Sequence, residues 1–379
     1  MLDGVGIGPA PDTVAYGDGG SDTLGNVARA VGGLRLPNLE RLGLGRCRPI
    51  PGLSPGVRPA AAHGVALPRS QGKDSTTGHW EICGVLLDKA FRTYPQGFPE
   101  DIIREFARRT GRGVIGNKAA SGTVIIAELG EEHQRTGKWI VYTSADSVFQ
   151  VAAHETTVPL EELYGACRTA RELLVGEDAV SRVIARPFVG RPGAYVRTPN
   201  RRDFSIEPVG TTLLDRLAAA GIPRVGIGKV DDLFAGRHIA SEHTPTNADA
   251  YRLIEQALTH VDTGFIFVNV IEFDQSWGHR NDVAGFHEGL RELDAWLPRL
   301  EQRLRDEDLV IVTADHGNDP TTPSTDHSRE AVPILVLGPR VRAAALGERG
   351  TFADMGATIA EYFEVAPLAA GTSFLEEVW

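Results

Sequence analysis

The sequence predicts an α/β fold in which a largely parallel sheet is flanked by helices. Short apolar and β-branched runs, typical of buried parallel strands, alternate along the chain with segments of helical periodicity. Carboxylate and imidazole side chains follow two of these runs, at the strand ends where open α/β sheets bind ligands. The 379 residues are 42% hydrophobic and 23% charged, which is typical of globular proteins and excludes a mainly disordered or coiled-coil chain.

The predicted strands are short and apolar on both faces. They are the segments 139–143, 225–228, 265–270, 309–313 and 332–337.

Helices are predicted from the spacing of apolar residues and from capping signals. The segments 99–110 and 211–220 begin with Pro and Thr, respectively, and each ends before a glycine. The segment 286–306 repeats leucine at helical spacing, and Pro298 predicts a kink in it.

Charge and cysteine content exclude several classes of protein. Lys and Arg number 39 and Asp and Glu number 50, so the net charge is −11, unfavourable for binding nucleic acid or anionic membranes. No apolar run approaches the roughly 18 residues that cross a bilayer, and no signal peptide is predicted. Three cysteines without a CxxC pair indicate a reduced, cytoplasmic protein. No obligate protein partner is implied.

Carboxylates and imidazoles cluster at three places in the C-terminal third, and one more carboxylate lies near the N-terminus. Such groups suit a divalent first-row cation, for example Mn²⁺ or Zn²⁺. A lone Asp-His pair is more often a solvated loop, but three clusters, two of them at strand ends, favour a metal site. The candidate ligands are Asp3, Asp274, His279, Asp315, His316 and His327.

A hydroxyl cluster occupies the segment GKDSTTGHWE at 72–81. It is not a P-loop, because Lys73 is followed by Asp and not by Ser or Thr. A hydroxyl here can be a nucleophile activated by a metal ion, although the segment taken alone more often indicates a polar helix N-cap.

Taken together, these motifs resemble the phosphopentomutase family of the alkaline phosphatase superfamily, and they keep their order from Asp3 to Leu375. TADHG alone indicates only the superfamily, whereas GKDSTTGHWE with YTSADS is far more specific. The segments are DGVGIG (3–8), GKDSTTGHWE (72–81), GNKAASGT (116–123), VYTSADSVFQ (141–150), RVIARPFVG (182–190), 274–279, TADHG (313–317), TDHSRE (325–330) and GTSFL (371–375).

The resemblance implies an alkaline-phosphatase-like core that binds two divalent ions, normally Mn²⁺. One ion is implied at Asp274, His279 and His327, and the other at Asp3, Asp315 and His316.

The resemblance also implies a nucleophilic hydroxyl four residues before the Gly-His histidine. Counting back from His79 gives Ser75, where the family usually has Thr. Serine keeps the required hydroxyl, so we expect activity to survive. Thr76 and Thr77 are the alternative nucleophiles.

The segment before Asp3 departs from the expected pattern. Asp3 should follow a central strand, yet only two residues precede it, and a strand needs about five or six. Either this start lies inside a longer gene product, or the first strand is missing and Asp3 lies on a frayed terminus.

The gap between the nucleophile segment and Asp274 is too long for a loop. The resemblance implies that it holds an inserted, smaller α+β cap domain. We predict a metal-binding catalytic core at 1–89 and 209–379, and a substrate-binding cap at 90–208.

The cap is expected to bind the sugar and its distal phosphate. Guanidinium groups bind phosphate bidentately, and arginines cluster here in an otherwise acidic chain. The candidate substrate-binding residues are Ser144, Asp146, Arg186, Arg197, Arg202 and, in the core, Lys229.

The resemblance implies an isomerase that interconverts the 1- and 5-phosphates of ribose or 2-deoxyribose through a phosphoenzyme and a 1,5-bisphosphate. A sugar bisphosphate such as glucose 1,6-bisphosphate is the implied primer, and small pentose phosphates are the implied partners. Three alternatives stay open: a phosphatase or phosphodiesterase on the same core, a catalytically inactive binding protein, and a mutase for a modified pentose.

Overall fold

The chain divides into two units. The computed structural model describes residues 1–144 and 147–379. The first unit combines Met1–Ala90 with Pro208–Trp379, and the second is Phe91–Glu207. The predicted domain boundaries each lie one residue from the boundaries of these units. Within the described residues, no helix has both the length and the apolar character needed to span a bilayer.

Helices of the described residues are numbered in chain order. They are α1 (Thr23–Ala30), α2 (Pro37–Leu42), α3 (Leu44–Cys47), α4 (Ser75–Ile82), α5 (Glu100–Thr110), α6 (Gly122–Thr136), α7 (Leu160–Leu173), α8 (Leu213–Ala219), α9 (Val230–Leu233), α10 (Asn247–His260), α11 (Val283–Glu301), α12 (Ala353–Tyr362) and α13 (Leu375–Val378).

Strands are numbered in the same way. They are β1 (Ala62–Ala66), β2 (Val114–Ala119), β3 (Trp139–Thr143), β4 (Val148–His154), β5 (Arg182–Val189), β6 (Val196–Arg197), β7 (Arg202–Ser205), β8 (Arg224–Ile227), β9 (Ser241–Glu242), β10 (Phe265–Val268), β11 (Val310–Val312), β12 (Val332–Leu337) and β13 (Ala345–Arg349).

Two sheets form the first unit. One has the order β10-β8-β9 and is parallel throughout. The other has the order β11-β12-β1-β13, in which β12 is antiparallel to both of its neighbours and β13 is parallel to β1. The α/β fold class is confirmed, but the predictions that the segments 309–313 and 332–337 are parallel strands are wrong, because β11 and β12 pair antiparallel to each other. The six buried residues of β12 reflect cover on both faces of the sheet, which does not fix strand direction.

Helix ends follow capping chemistry more closely than apolar spacing. Helix α8 begins after Thr212, whose hydroxyl and backbone form a reciprocal capping box with Asp215. Helix α11 begins earlier than predicted, because the Asp282 side chain accepts a hydrogen bond from the N–H of Gly285. It continues through Pro298, and the Asn38 side chain donates to the carbonyl of Asp294, which proline leaves without a helical donor.

The second unit is a mixed sheet with helices α5–α7. Its strand order is β2-β3-β4-β5-β6, with β7 also paired to β5. The pairs β2–β3 and β4–β5 are parallel, and the remaining pairs are antiparallel. Aromatic residues, among them Phe106, Trp139 and Phe149, fill the core under this sheet. The unit therefore has an α+β architecture of its own.

A short stub at Met1–Asp3 joins the two sheets of the first unit. The N–H of Leu2 donates to the carbonyl of Thr313 at 2.7 Å, and Leu2 forms a parallel bridge with Val270. The N–H of Asp3 donates to the carbonyl of Val270 at 3.2 Å, and Asp3 is fully buried. Asp3 is thus not frayed, contrary to one of the two expectations from the sequence.

Beside this stub, β10 and β11 line an apolar cavity of about 320 Å³. Leucines of α11, Met1 and Leu2 also line it. Leu2 bridges Val270 in parallel and donates to the carbonyl of Thr313, so the stub lies at the end of both strands that line the cavity.

We expect an extended apolar segment in this cavity to stabilise the first unit. A variant with about five added residues, Ile-Val-Leu-Ile-Val, before Met1 should bury apolar surface between β10 and β11. Each kcal/mol gained should raise Tm by roughly 2–4 °C. The matched control carries Gly-Ser-Gly-Ser-Gly. Equal Tm values for the two variants by calorimetry would show that the cavity accepts no strand.

Candidate active site

One group of candidate ligands forms where the N-terminal stub meets the end of β11. Asp315 and His316 follow β11, and Asp3 follows the stub. The Nε2 of His316 lies 3.4 Å from Asp3 Oδ1 and 3.4 Å from Asp315 Oδ2. The three residues are buried, and their ligand atoms lie within 4.8 Å of one another.

A second group surrounds Asp274, which lies in a π-helical turn at Phe273–Trp277. Asp274 Oδ1 lies 3.1 Å from Nε2 of His327, and Oδ2 lies 3.4 Å from Nε2 of His279. The compact set of three buried ligand atoms combines Asp274 and His327 with His316. His279 is 28% exposed and lies at the rim. The structure therefore brings all six predicted ligands together, with His316 adjacent to both groups.

The site carries strongly interacting charges. Burial opposes protonation of His316, but Asp315, Asp3 and Asp274 outweigh it and raise the pKa of His316 to about 10. Burial would raise the pKa of Asp315, but His316 and His79 hold that pKa below its usual value. The pKa of Asp274 is likewise lowered, against its burial, chiefly by His327 and His279.

These residues fit a divalent cation. Asp3 Oδ2, Asp315 Oδ2 and His327 Nε2 are buried, and each lies 2.6 to 3.1 Å from a charged or ionisable side chain of the site. The Nδ1 atoms of His316 and His279 face the carbonyls of Gly317 and Thr325, and Nε2 of each lies 3.4 Å from a carboxylate oxygen of the site. Carboxylate oxygens and imidazole nitrogens are donors for a first-row divalent ion.

Ser75 is the first residue of helix α4, after the N-cap Asp74. Its Oγ lies 3.1 Å from His316 Nε2 and 3.4 Å from Asp3 Oδ1. The hydroxyl of Thr77 instead donates to Asp74 at 2.6 Å. A helix N-terminus favours negative charge, so this position suits a group that carries phosphate.

Lys229 places an ammonium group among the carboxylates. Its Nζ lies 2.6 Å from Asp3 Oδ2, 3.8 Å from Asp274 Oδ2 and 3.3 Å from Ser75 Oγ. Burial lowers the pKa of Lys229, but Asp3 and Asp274 outweigh burial and raise it. The sequence predicted Lys229 as a phosphate ligand, and the structure places it beside the candidate nucleophile.

Sequence reasoning missed polar residues that orient the predicted ones. Asn318 Nδ2 donates to Asp274 Oδ1 at 2.8 Å, and Asn269 Nδ2 lies 3.4 Å from His79 Nε2. His79, which had served only to count back to Ser75, lies 3.1 Å from Asp315 Oδ2. Asn318 follows TADHG directly and Asn269 lies at the end of a predicted strand, so strand-end position was the available signal.

In the second unit, the charges of three guanidinium groups act on the buried Tyr142. Burial raises the pKa of Tyr142, and the charges of Arg186, Arg197 and Arg201 oppose that rise. Burial lowers the pKa of Arg186, and Arg201 lowers it further, which indicates crowded positive charge. Arg202 has a different surrounding, with its guanidinium over the rings of Tyr164 and Phe204.

The structure describes one of the two candidate substrate-binding residues in the YTSADS segment. Ser144 follows β3 and is partly buried. Asp146 lies outside the described residues.

Comparisons with known proteins identify the family of this chain. Residues 1–367 match the family model of the metalloenzyme superfamily. A phosphopentomutase of Anaeromyxobacter sp. (strain K) is 59% identical over 100% of this chain and 97% of its own length. That of Carboxydothermus hydrogenoformans is 54% identical over 100% of this chain and 98% of its own length.

A solved structure, the PH0037 protein from Pyrococcus horikoshii, has a TM-score of 0.50 at 14% sequence identity, covering 96% of each chain. That likeness concerns the fold alone. Full-length sequence identity above 50% to proteins of one family, together with the matching superfamily model, shows the family of this chain. The chain belongs to the phosphopentomutase family of the metalloenzyme superfamily.

Proposed function

We propose that this protein interconverts the 1- and 5-phosphates of ribose or 2-deoxyribose by way of a phosphoserine at Ser75. The observation that carries the proposal is the position of Ser75 Oγ, 3.1 Å from the imidazole that both ligand groups share. Small pentose phosphates are the proposed substrates, as the names of the relatives suggest. The reducing compartment that suits three free cysteines points to the cytoplasm.

Two divalent cations, proposed to be Mn²⁺, fit the two ligand groups. Asp3, Asp315 and His316 would hold one, and Asp274, His279 and His327 the other. Such cations, when bound, supply a clamp on the oxygens of a transferring phosphoryl group and neutralise its charge.

The chain's own residues account for storage of the phosphoryl group. Ser75 accepts it from a sugar bisphosphate, with glucose 1,6-bisphosphate as the proposed primer, and the hydroxyl proton of Ser75 passes to the sugar oxygen that is released. In the next step the Ser75–phosphate bond breaks, a bond to the free hydroxyl of the pentose phosphate forms, and that hydroxyl's proton returns to Ser75. The resulting 1,5-bisphosphate returns its other phosphoryl group to Ser75. Lys229 and the N-terminus of α4 favour the negative charge held there.

We propose that the second unit recognises the sugar phosphate as a substrate-binding cap. The positive charge of Arg186 and Arg197 supports this assignment, whereas Arg201 is paired with Asp203 at 2.7 Å. Ser144, Asp146 and Arg202 remain predicted contacts.

Metal binding should depend on pH because a proton must leave His316. With its pKa raised to about 10, His316 is protonated below that pH, whereas a cation requires the neutral Nε2. We expect Mn²⁺ affinity, measured by calorimetry, to rise from pH 6.5 to 8.5 by up to about tenfold per unit for one displaced proton. His316→Gln should weaken binding and flatten the slope, while the control His260→Gln, at an exposed imidazole, should behave as wild type.

Loss of a ligand should remove an ion. Asp274→Ala and His327→Ala should each reduce the metal content by one ion per chain and nearly abolish turnover, since each ion has only three proposed protein ligands. Unchanged metal content in both variants, or a pH-independent Mn²⁺ affinity in the wild type, would contradict the ligand assignment.

The nucleophile can be identified directly. Ser75→Ala should abolish mutase turnover, whereas Ser75→Thr should retain it and slow loss of the phosphoenzyme, because the added methyl group restricts χ1. After incubation with glucose 1,6-bisphosphate, intact-mass and peptide mass spectrometry should place one phosphate on Ser75. Thr76→Ala is the matched control and should still take up phosphate. Phosphate on Thr76 or Thr77 would refute the assignment.

Replacing Arg186 of the second unit by a neutral residue should separate two reactions, phosphoryl transfer to the sugar and hydrolysis of the phosphoenzyme. A lost hydrogen bond to a charged group costs about 1.5–3 kcal/mol, so Arg186→Gln should raise the KM for pentose phosphate by roughly tenfold or more. Slow release of inorganic phosphate should be unaffected. Arg108→Gln, at a surface pair with Glu105, is the control. A parallel fall of both rates would favour the phosphatase alternative over a substrate-reading cap.

A further inference from the structure

The arginine of the TDHSRE segment holds the loop that leads into the nucleophile. Arg329 is 2% exposed, although its side chain is charged. Its Nη1 donates to the carbonyls of Ser70 and Gly72, both at 2.6 Å, and Nη2 donates to the carbonyl of Pro68 at 2.9 Å. One guanidinium therefore satisfies three carbonyls in the loop 68–72, of which those of Ser70 and Gly72 are buried.

The remaining donors of Arg329 bind a second segment. Its Nε and Nη2 donate to the carboxylate of Asp12 at 3.1 and 2.9 Å. The ring of Tyr16 lies against the guanidinium, with 4.7 Å from Cζ to the ring centroid. The Tyr16 hydroxyl in turn accepts a hydrogen bond from the N–H of Gly72 at 3.1 Å.

The opposite side of the loop is held by the nucleophile's own helix. Glu81 of α4 accepts hydrogen bonds from the N–H groups of Arg69 and Ser70, at 2.9 and 2.7 Å. Carbonyls of the loop thus point to Arg329 and amides point to Glu81. Loop and helix are fixed as one body, and Ser75 is the first residue of that helix.

We propose that Arg329 is a positioning residue. It holds Ser75 Oγ close to His316 and fixes the position of Ser75 relative to His327, which lies two residues before Arg329 in the chain. The inference rests on the proposed role of Ser75 as phosphate acceptor. Lysine cannot replace this arginine, because an ammonium group has three donors at one point and cannot reach the loop carbonyls and the Asp12 carboxylate together. A displacement of about 1 Å in a reacting group can cost about 10²-fold in rate.

The test compares Arg329→Lys with Arg349→Lys. Arg349 is a matched control, since it is 15% exposed and binds Asp354 and the carbonyl of Thr372 in the same unit. The rate of phosphate uptake by Ser75 from glucose 1,6-bisphosphate is measured by rapid quench and intact mass, and Mn²⁺ affinity by calorimetry. We expect Arg329→Lys to lower the rate about 10- to 100-fold through kcat more than KM, with Mn²⁺ affinity within about threefold of wild type. Arg349→Lys should keep the wild-type rate even where Tm falls.

A wild-type rate of phosphate uptake in Arg329→Lys overturns the inference. So does a lower rate that is accompanied by an equal loss of Mn²⁺ affinity, or a lower rate that Arg349→Lys shows as well. If Arg329→Lys does not fold, Asp12→Asn is used. It keeps the three loop contacts but weakens the second anchor, so a rate several-fold below wild type is expected and an unchanged rate overturns the inference. Absence of phosphate on Ser75 in the wild type is a separate result, which rejects the proposed function itself.

Discussion

The arrangement of this active site depends on the burial of three carboxylates around one imidazole. Asp3, Asp274 and Asp315 are each at most 3% exposed, and all have ligand atoms close to His316. Buried charges are costly unless paired, so the neighbouring histidines and Lys229 must be present for the fold to tolerate them. The same carboxylates that raise the pKa of His316 also make the site attractive to divalent cations.

Local sequence signals predicted the parts of the site that are themselves local. The dipeptide Asp315-His316 after an apolar run, and Ser75 four residues before His79, are read directly from the chain. Spacing could not predict that His316 lies next to Asp274 and His327, because that proximity arises only when β11, the π-helical turn and the loop before β12 come together.

The failures have the same physical origin. A run of six apolar residues at Val332–Leu337 reports burial on two faces, and strand direction depends on which neighbours pair with it. Arg329 was visible in a motif, yet nothing local distinguishes an arginine that binds three carbonyls 257–261 positions away from one in solvent. The start of α11 was missed for a different reason, since the Asp282 cap acts within three residues but apolar spacing alone does not include it.

His316 has one further consequence. Its Nδ1 faces the carbonyl of Gly317, so Nε2 offers the single available lone pair, and one lone pair serves one cation. Two cations could not both bind this atom, so the two ligand groups are not independent of each other. His279 is 28% exposed, whereas His316 is 3% exposed. Solvent and solutes therefore reach this site from the side of His279, and the carboxylates around His316 are the part most shielded from exchange.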